Sequence, residues 1–330
     1  MKEVIWKYDS NMPKTIARLR EQARANPRRI VFPESHDPRV IAAARKFAEL
    51  GLGVPVLIPR EEGPPPSEIT DLEIADVDEA LSEKCANQLY ENRKHKGLSP
   101  EGARQALGDP LLLSALMVKT GFVAGSVAGS LATTASVIRA GLYGIGPIAG
   151  GKIVSSFFLM QLSDRAVTYS DCGVVPDPDA RQLAEIAISA AHSHHVLTSE
   201  PPRVALLSFS TRGSAEHARI NTVRDAITII RHRDPKLCVD GELQFDAALL
   251  PEVAERKAPD SEVAGRANVF IFPDLDSGNI AYKITERLAG AKALGPLIQG
   301  LAHPFMDLSR GCRVDDIVDV AVIASVMAGG

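Results

Sequence analysis

The chain has 330 residues, 45% of them hydrophobic, which is enough for a large core and, at about 100–200 residues per domain, for two domains. Its net charge of -4 and the lack of a long basic run argue against nucleic acid as a partner. The four cysteines lie far apart without a CxxC pair, which excludes a zinc ribbon, a thioredoxin motif and a disulfide framework. They predict free thiols in a reducing compartment.

Residues 1–29 carry charges throughout and hold no apolar signal core. No apolar stretch in the sequence approaches the roughly 20 residues needed to cross a membrane. We therefore expect a soluble, cytoplasmic protein with no membrane partner.

The first half of the chain alternates short apolar runs with helical patterns. After an amphipathic helix predicted at residues 13–26, a strand centred on Val31 is stopped by Pro33, a helix runs to Gly51, and a second strand covers residues 54–58. These apolar runs are continuous rather than alternating, which indicates strands covered on both faces and hence a parallel sheet between helices.

The Pro-rich, acidic residues 60–78 predict an excursion on the surface. Helices follow to about residue 120, the small residues 122–130 predict a strand and a turn, and residues 133–142 predict the next helix. From Lys152 the alternation restarts, with strand candidates at residues 152–160, 166–171, 203–209, 267–273 and 296–301. The first two of these have no clear helix between them, which is consistent with an antiparallel hairpin.

This order of elements predicts an α/β fold of two three-layer α/β/α domains, with mainly parallel sheets and a cleft between the domains. The Gly-rich residues 144–151 mark the boundary, and the end of the chain is expected to return to the first domain. Domain I would then comprise residues 1–148 and 297–330, and domain II residues 149–296. Ligands of such sheets bind beyond the carboxyl ends of the strands, here in the cleft.

The first candidate site is the loop before the last predicted helix, which opens near Val314. Ser309 and Arg310 lie where free backbone N–H groups and the helix dipole favour an anion, and Arg310 adds a fork suited to phosphate. Asp315 and Asp316 follow in the first turn. Helix capping and acids that complement the dipole explain the same spacing, so both interpretations stay open.

A second candidate combines the small residues 125–132 with the helix that follows them. The small residues leave room for a ligand, Thr133 and Thr134 can cap the helix and donate to an anion, and Arg139 lies farther along it. Close packing of small residues against another helix explains the same composition.

Two further segments carry candidate cations. Arg93 lies in a basic cluster with Lys94 and Lys96, which could hold a nucleotide phosphate but is equally typical of a solvated surface. Arg287 lies on a helix that follows another strand end; by itself it indicates a solvated cation, and we include it among the candidate substrate-binding residues.

Two patterns are better explained without a ligand. The residues His192, His194 and His195 have no Cys or carboxylate partner at metal spacing and fit a helix terminus, so no metal site is predicted. Residues 144–149 match a loose dinucleotide fingerprint, but they follow a helix and precede a strand, the reverse of the order that binding requires.

Over nearly its whole length the chain resembles the phosphate acetyltransferase family. The segments that carry this resemblance are residues 29–35, 93–104, 109–121, 133–140, 154–160, 171–188, 206–215, 240–259, 267–284 and 307–318. No single segment is specific, whereas all of them together are.

The resemblance implies acyl transfer, acetyl-CoA + phosphate = CoA + acetyl phosphate, by direct attack in a ternary complex. On the matching positions, Ser309, Arg310 and Asp316 look like the catalytic set, with Asp316 taking the thiol proton of CoA. The residues expected to handle CoA or phosphate are Arg93, Thr133, Thr134 and Arg139. CoA would be a substrate, no cofactor is expected, and family membership implies a homodimer.

The chemistry sets conditions on this site. A carboxylate of ordinary pKa, about 3.9, that deprotonates a thiol of pKa about 8.5 works roughly 6 kcal/mol uphill, so the acid must be desolvated or the thiolate stabilised. Arg310 stays protonated, and its natural role is to bind phosphate and the negative charge of the intermediate. Ser309 would donate a hydrogen bond to that oxyanion, because no His lies in its motif, and Cys312 is expected only to pack.

Three alternatives remain open at this point. A phosphate butyryltransferase-like enzyme would share the same motifs, and a regulatory module would bind acetyl-CoA without turning it over. The third alternative is a metal-dependent decarboxylating dehydrogenase, for which Asp240, Glu242 and Asp246 form the only tight acidic group. That group has no believable NAD loop beside it.

Overall fold

Two β-sheets organise the chain in the computed structural model, which describes residues 14–58 and 69–329. The first sheet is parallel throughout, and its strands follow the spatial order β11-β4-β1-β2-β3. These strands are β1 (Arg28–Phe32), β2 (Gly53–Leu57), β3 (Glu73–Ile74), β4 (Gly125–Ala128) and β11 (Phe305–Asp307). The centre of β1 is fully buried, as its continuous apolar run predicts.

The second sheet is mixed and follows the order β10-β5-β6-β9-β7-β8. Its strands are β5 (Ser155–Gln161), β6 (Ala166–Ser170), β7 (Arg203–Leu207), β8 (Cys238–Leu243), β9 (Val269–Ile271) and β10 (Lys292–Gln299). β5 and β6 form the antiparallel hairpin that the sequence suggests, and β10 pairs antiparallel with the other side of β5. The remaining pairs are parallel.

Helices cover the sheets, and several of them begin where the sequence provides a cap. Asp37 and Asp109, each followed by Pro, accept a hydrogen bond from the backbone N–H of the second residue of their helices. The helices are α1 (Lys14–Ala25), α2 (Pro38–Glu49), α3 (Glu79–Arg93), α4 (Pro100–Ala106), α5 (Pro110–Lys119), α6 (Thr134–Gly144), α7 (Ala180–Thr198), α8 (Ala218–Arg233), α9 (Phe245–Leu249), α10 (Pro251–Lys257), α11 (Leu275–Leu288) and α12 (Val314–Met327). Within residues 14–58 and 69–329, none of the helices has the length and apolar character to cross a bilayer.

The last helix, α12, joins the two halves of the molecule. Its residues 317–325 are all buried, and the helix packs against α1, α2 and α7. Asp319 in its centre is 2% exposed and lies 2.7 Å from the guanidinium of Arg20 and 2.5 Å from the Nζ of Lys292. Because Arg20 belongs to α1 and Lys292 to β10, this buried carboxylate connects the first described helix with a strand of the second sheet.

Three parts of the sequence interpretation differ from the structure. The surface excursion predicted at residues 60–78 returns to the sheet, since Glu73–Ile74 form edge strand β3 and Ile69 and Leu72 are buried; residues 59–68 lie outside the described part. β11 lies inside a predicted loop, because a three-residue strand gives no periodic signal. β8 was not predicted, because its acids Asp240 and Glu242 conceal a buried strand. Residues 1–13, part of the segment expected to lack a signal sequence, also lie outside the described residues.

The buried acids of β8 are neutralised by arginines. Asp240 pairs with Arg212 and Arg231, and both carboxylate oxygens of Glu242 accept hydrogen bonds from Arg224. Burial opposes the ionisation of Glu242, but the bonds from Arg224 and from backbone N–H groups outweigh it and lower its pKa to about 2. The acidic group therefore serves the packing of the second sheet.

The predicted return to the first domain at residue 297 falls inside β10. Leu297, Ile298 and Gln299 pair with β5 of the second sheet, so the chain passes to the first sheet only after Gln299. The apolar run 296–301 predicts a strand, but it holds no information on which sheet that strand joins. We propose that the boundary between the two domains lies after Gln299, where the chain leaves the second sheet.

Candidate active site

A cavity of about 1120 Å³ lies between the elements of the two sheets. From the first domain it is lined by residues 132–135 of the β4–α6 turn and by residues 308–313 of the β11–α12 turn, with Asp316. From the second domain it is lined mainly by one face of α11 and by residues 292–296. The cavity lies beyond the carboxyl ends of β4 and β11, where a ligand of such a sheet is expected.

The cavity brings together six of the eight candidate side chains that the sequence singles out. They are Thr133, Thr134, Arg287, Ser309, Arg310 and Asp316. Arg93 and Arg139 do not line it. A second cavity, of about 810 Å³, is lined by parts of α7 and by residues 298–304 and holds none of the eight.

Asp315 and Asp316, neighbours in the first turn of α12, face different surroundings. Asp315 forms an ion pair with Lys46 of α2, and this hydrogen bond is the main cause of the lowered pKa of Asp315. Asp316 instead faces the cavity. Its Oδ2 accepts a hydrogen bond from the backbone N–H of Arg313 at 2.9 Å, while its Oδ1 has no partner among the described residues. Asp316 therefore caps the start of α12 and also lines the cavity, so its predicted role in catalysis stays a prediction.

Ser309 and Arg310 are exposed at the same mouth of the cavity. The Oγ of Ser309 accepts a weak hydrogen bond from the N–H of Gly311 at 3.3 Å, so its hydroxyl proton stays available. The guanidinium of Arg310 has no hydrogen-bond or ion-pair partner within residues 14–58 and 69–329. An unpaired guanidinium beside a donor hydroxyl is suited to bind an oxyanion.

Two cysteines, Cys172 and Cys312, line the cavity as well. Burial raises the pKa of both thiols, and that of Cys172 well above its ordinary value. Because the thiolate is the nucleophilic form, neither sulfur is activated to accept an acyl group. Cys312 packs in the apolar core, in agreement with the role predicted for it.

The turn before α6 holds an anion that belongs to the protein itself. The buried carboxylate of Glu34 accepts hydrogen bonds from the backbone N–H groups of Gly129, Ser130, Leu131 and Ala132, at 2.7–3.0 Å. The amides of this small-residue turn are therefore not free for a ligand. Ser130 adds its hydroxyl at 3.1 Å.

Thr133 and Thr134 follow that turn, and their hydroxyl groups bind different partners. Thr133 caps α6, as predicted, by accepting a hydrogen bond from the N–H of Ser136 at 3.2 Å. Thr134 donates to Oδ2 of Asp307 at 2.6 Å. The anion that Thr134 meets is therefore a side chain of the protein, whereas the sequence suggested a ligand.

Asp307, at the end of β11, was missed by the sequence interpretation. It is fully buried, its Oδ1 has no partner among the described residues, and a Cβ at Gly129 (φ +99°) would overlap that oxygen. Burial is the main reason why the pKa of Asp307 rises to about 7, and the nearby charge of Glu34 raises it further. Its place directly before Leu308 and Ser309 in a strand-to-helix turn was the available signal.

This buried acid predicts a pH dependence of stability. Its pKa is higher in the folded than in the unfolded chain, so its contribution is fully present below about pH 4 and is lost as the pH rises toward 7, at about 1.4 kcal/mol per pH unit. Asp307→Asn keeps an oxygen for Thr134 and removes the titration. We expect the urea midpoint of the variant, measured relative to that of the wild type, to rise between pH 5 and pH 8. A constant difference across that range would contradict the assignment.

The remaining cations lie in two groups. Lys283 and Arg287 of α11, together with Lys292, form a basic rim of the cavity, in which Lys292 is paired with Asp319 and Arg287 lies 3.5 Å from Glu286. Lys283 and Lys292 were not predicted, although Lys283 precedes Arg287 by one helical turn. Arg93 and Arg139 belong to the outer surface of α3 and α6, where the Arg93 guanidinium stacks 3.9 Å from the centre of the Tyr143 ring.

The histidine group lies at the end of α7, as predicted. His194 is buried against Thr168, with 2.9 Å between Nδ1 and the threonine hydroxyl, and burial lowers its pKa to about 4. The Nδ1 of His195 lies 3.1 Å from the carbonyl oxygen of Glu200. In the described part of the chain, no three Cys, His, Asp or Glu side chains are placed to hold a metal ion together.

Comparison with known proteins places this geometry in a family. Residues 14–325 match the family model described as "Phosphate acetyl/butaryl transferase". The chain is 47% identical to a phosphate acetyltransferase of Acetivibrio thermocellus, over 93% of this chain and 96% of that protein. It is 46% identical to one of Paracoccus denitrificans, over 95% and 99%. A phosphotransacetylase structure from Streptococcus pyogenes superposes with a TM-score of 0.86 at 36% identity, over 95% and 98%. The chain therefore belongs to the phosphate acetyl/butaryl transferase family.

Proposed function

We propose that the protein is a phosphate acetyltransferase, which moves an acetyl group reversibly between coenzyme A and inorganic phosphate. The observation that carries this proposal is the convergence of Ser309, Arg310 and Asp316 on one interdomain cavity with a basic rim. Both substrates are anionic, and the cavity offers an unpaired guanidinium beside an accessible carboxylate. Two relatives that are 46–47% identical to the chain are phosphate acetyltransferases, and the match covers 96–99% of their length.

The reaction follows from these side chains by direct transfer. In the direction of acetyl-CoA, Asp316 takes the proton of the CoA thiol, and the thiolate forms a bond to the carbonyl carbon of acetyl phosphate. Arg310 and the hydroxyl of Ser309 stabilise the oxyanion of the tetrahedral intermediate. The bond from carbon to the phosphate oxygen then breaks, and phosphate leaves with the electron pair, held by Arg310. Because the thiols of Cys172 and Cys312 are not activated, no acyl-enzyme is required.

The side chain of Asp316 is 32% exposed, so water still reaches it in the free protein. Entry of the pantetheine arm of CoA into the cavity would remove that water and make the carboxylate a stronger base. Arg310 would stabilise the thiolate at the same place. The conditions that the chemistry sets are thus met by the substrate and the protein together.

The positive rim suggests how CoA is held. Lys283 and Arg287 line the cavity from α11 and would meet the phosphates of an entering CoA, whereas Lys292 is already paired with Asp319. We propose that Arg93 and Arg139, on the outer surface of α3 and α6, contact the part of CoA that extends out of the cavity. CoA acts here as a substrate, and the side chains of the protein supply the remaining chemistry.

A coupled assay of CoA release from acetyl-CoA, with and without phosphate, tests the function. We expect release that depends on phosphate and that is faster with acetyl-CoA than with butyryl-CoA. A preference for butyryl-CoA would assign the chain to the butyryl branch of the family. Binding of acetyl-CoA without phosphate-dependent release would identify a sensing module and refute the proposal.

We further propose a homodimer located in the cytoplasm. Ile280, Ile284 and Leu288 lie one turn apart on α11 and are more than half exposed, so the same stripe of a second copy would remove them from water. Sedimentation as a monomer would contradict the dimer.

The proposed location rests on the cysteines. Cys85, Cys172, Cys238 and Cys312 are free, which fits a reducing compartment. Recovery outside the cytosolic fraction would contradict the location.

A further inference from the structure

We propose that Arg39 is a positioning residue for acyl transfer, because its guanidinium joins the three strand-to-helix turns at the carboxyl edge of the first sheet and so fixes the main chain that carries Arg310. Arg39 lies in the first turn of α2 and does not line the cavity. The inference rests on the proposed function and assigns a role to a residue that does not touch the substrate.

The contacts of the guanidinium reach both turns that line the cavity. Its Nη1 donates to the carbonyl oxygen of Arg310 at 2.8 Å and to that of Cys312 at 3.0 Å. Its Nη2 donates to the carbonyl oxygen of Ser130 at 2.9 Å. One planar group thus holds the β11–α12 turn on either side of Gly311 and the β4–α6 turn beside it.

The guanidinium is itself held in place by Asp37 in the β1–α2 turn. Its Nη2 and Nε lie 2.7 and 3.1 Å from the Asp37 carboxylate, which also caps α2 through the N–H of Arg39 at 2.9 Å. Burial opposes the ionisation of Asp37, but the hydrogen bonds and charge of Arg39 outweigh it and lower the pKa of that carboxyl. The pair is therefore ionised, and its fork geometry fixes the direction of the remaining N–H groups.

Two other buried acids connect the same turns. The Glu34 carboxylate binds the amides of the β4–α6 turn, and Asp307 accepts the hydroxyl of Thr134 from α6. Neither of them contacts the main chain of residues 310–312, which only Arg39 holds among these three charged side chains. Of these three, Arg39 is therefore the side chain that ties the main chain of residues 310–312 to the neighbouring turns.

The functional consequence follows from the state of Arg310. Its own side chain has no partner in the described part of the chain, so within that part only its backbone anchors it at the cavity. A displacement of about 1 Å in a reacting geometry can lower a rate by about 100-fold. A fixed backbone limits the region that the guanidinium of Arg310 can reach, so substrate has to order only the side chain.

The test is Arg39→Lys, which keeps the charge but cannot form the planar fork that spans three turns. We expect kcat to fall 10- to 100-fold at a temperature well below unfolding, while the KM for CoA changes less than 3-fold. Arg45→Lys, on the same helix with its partner Asp71 at the surface, is the matched control and should keep the wild-type kcat. An unchanged kcat in folded Arg39→Lys would overturn the proposal.

A double-mutant cycle separates positioning from general stability. If Arg39 acts through Arg310, its substitution should cost several-fold less in an Arg310→Gln background than in the wild type. Equal losses in both backgrounds would show that Arg39 does not act through Arg310 and would refute the inference. If Arg39→Lys does not fold, Asp37→Asn replaces it, since the asparagine oxygen can still cap α2. We expect the same fall in kcat and the same smaller loss in the Arg310→Gln background. An inactive wild type would refute the proposed function itself, which is a different outcome.

Discussion

Arg310→Gln is expected to lower kcat by about 100- to 1,000-fold while the protein stays folded. The guanidinium forms no hydrogen bond or ion pair with the described residues, so its removal breaks no contact that the fold uses. What is lost is a positive charge aimed at the oxyanion and at phosphate, and removal of one such donor typically costs about 2.7–4 kcal/mol of transition-state stabilisation. Steady-state kinetics of CoA release, beside a thermal melt, measure both parts of this expectation.

Arg256→Gln is the matched control for the loss of one positive charge. Arg256 is exposed on α10, in the second domain, and among the described residues its Nε donates only to the carbonyl oxygen of Glu252 in its own helix. Its variant should keep the wild-type rate. Near-normal turnover of Arg310→Gln would remove this guanidinium from the mechanism.

Asp316→Asn is expected to lower kcat by about 100- to 10,000-fold, the range for loss of a general base, with a much smaller change in the affinity for CoA. An asparagine oxygen can still accept the N–H of Arg313, so the start of α12 is preserved. What the variant removes is the ability to take the thiol proton. The rate of a single turnover and the dissociation constant of CoA, measured separately, test the two halves of this statement.

The neighbouring acid supplies a stringent control. Asp315→Asn removes the same charge from the same helical turn, but that carboxylate is bound to Lys46 and lies away from the cavity. We expect a modest loss of stability and a normal rate. Equal losses of rate in the two variants would mean that the charge at the helix start, and not proton transfer, is what matters.

The sequence predicted the fold class and the position of the last helix because both depend on local patterns. Continuous apolar runs indicate covered parallel strands, and the start of α12 at Val314 follows from its acids and its apolar stripe. The strands β8 and β11 escaped because one carries acids and the other has three residues. Burial of those acids depends on arginines from other elements, which no local window contains.

The candidate site was predictable only in part for a similar reason. Ser309, Arg310 and Asp316 are near in sequence, and all three line one cavity. Arg39 and Asp307 act across turns that are distant in the chain, and their partners are backbone atoms or a single hydroxyl. The sequence also could not separate Asp315 from Asp316, because their difference is set by Lys46 on another helix.

The Glu34 carboxylate has a consequence for how the protein tells one anion from another. In many nucleotide-binding proteins a small-residue turn surrounds a phosphate with main-chain amides. The positions of such amides change little when side chains are substituted. Here those amides already have a permanent occupant, so they are not available to an arriving phosphate, which meets other groups of the cavity, such as the guanidinium of Arg310. Discrimination among anions can then change by single substitutions on α11 or beside Gly311, while the backbone beneath them stays as it is.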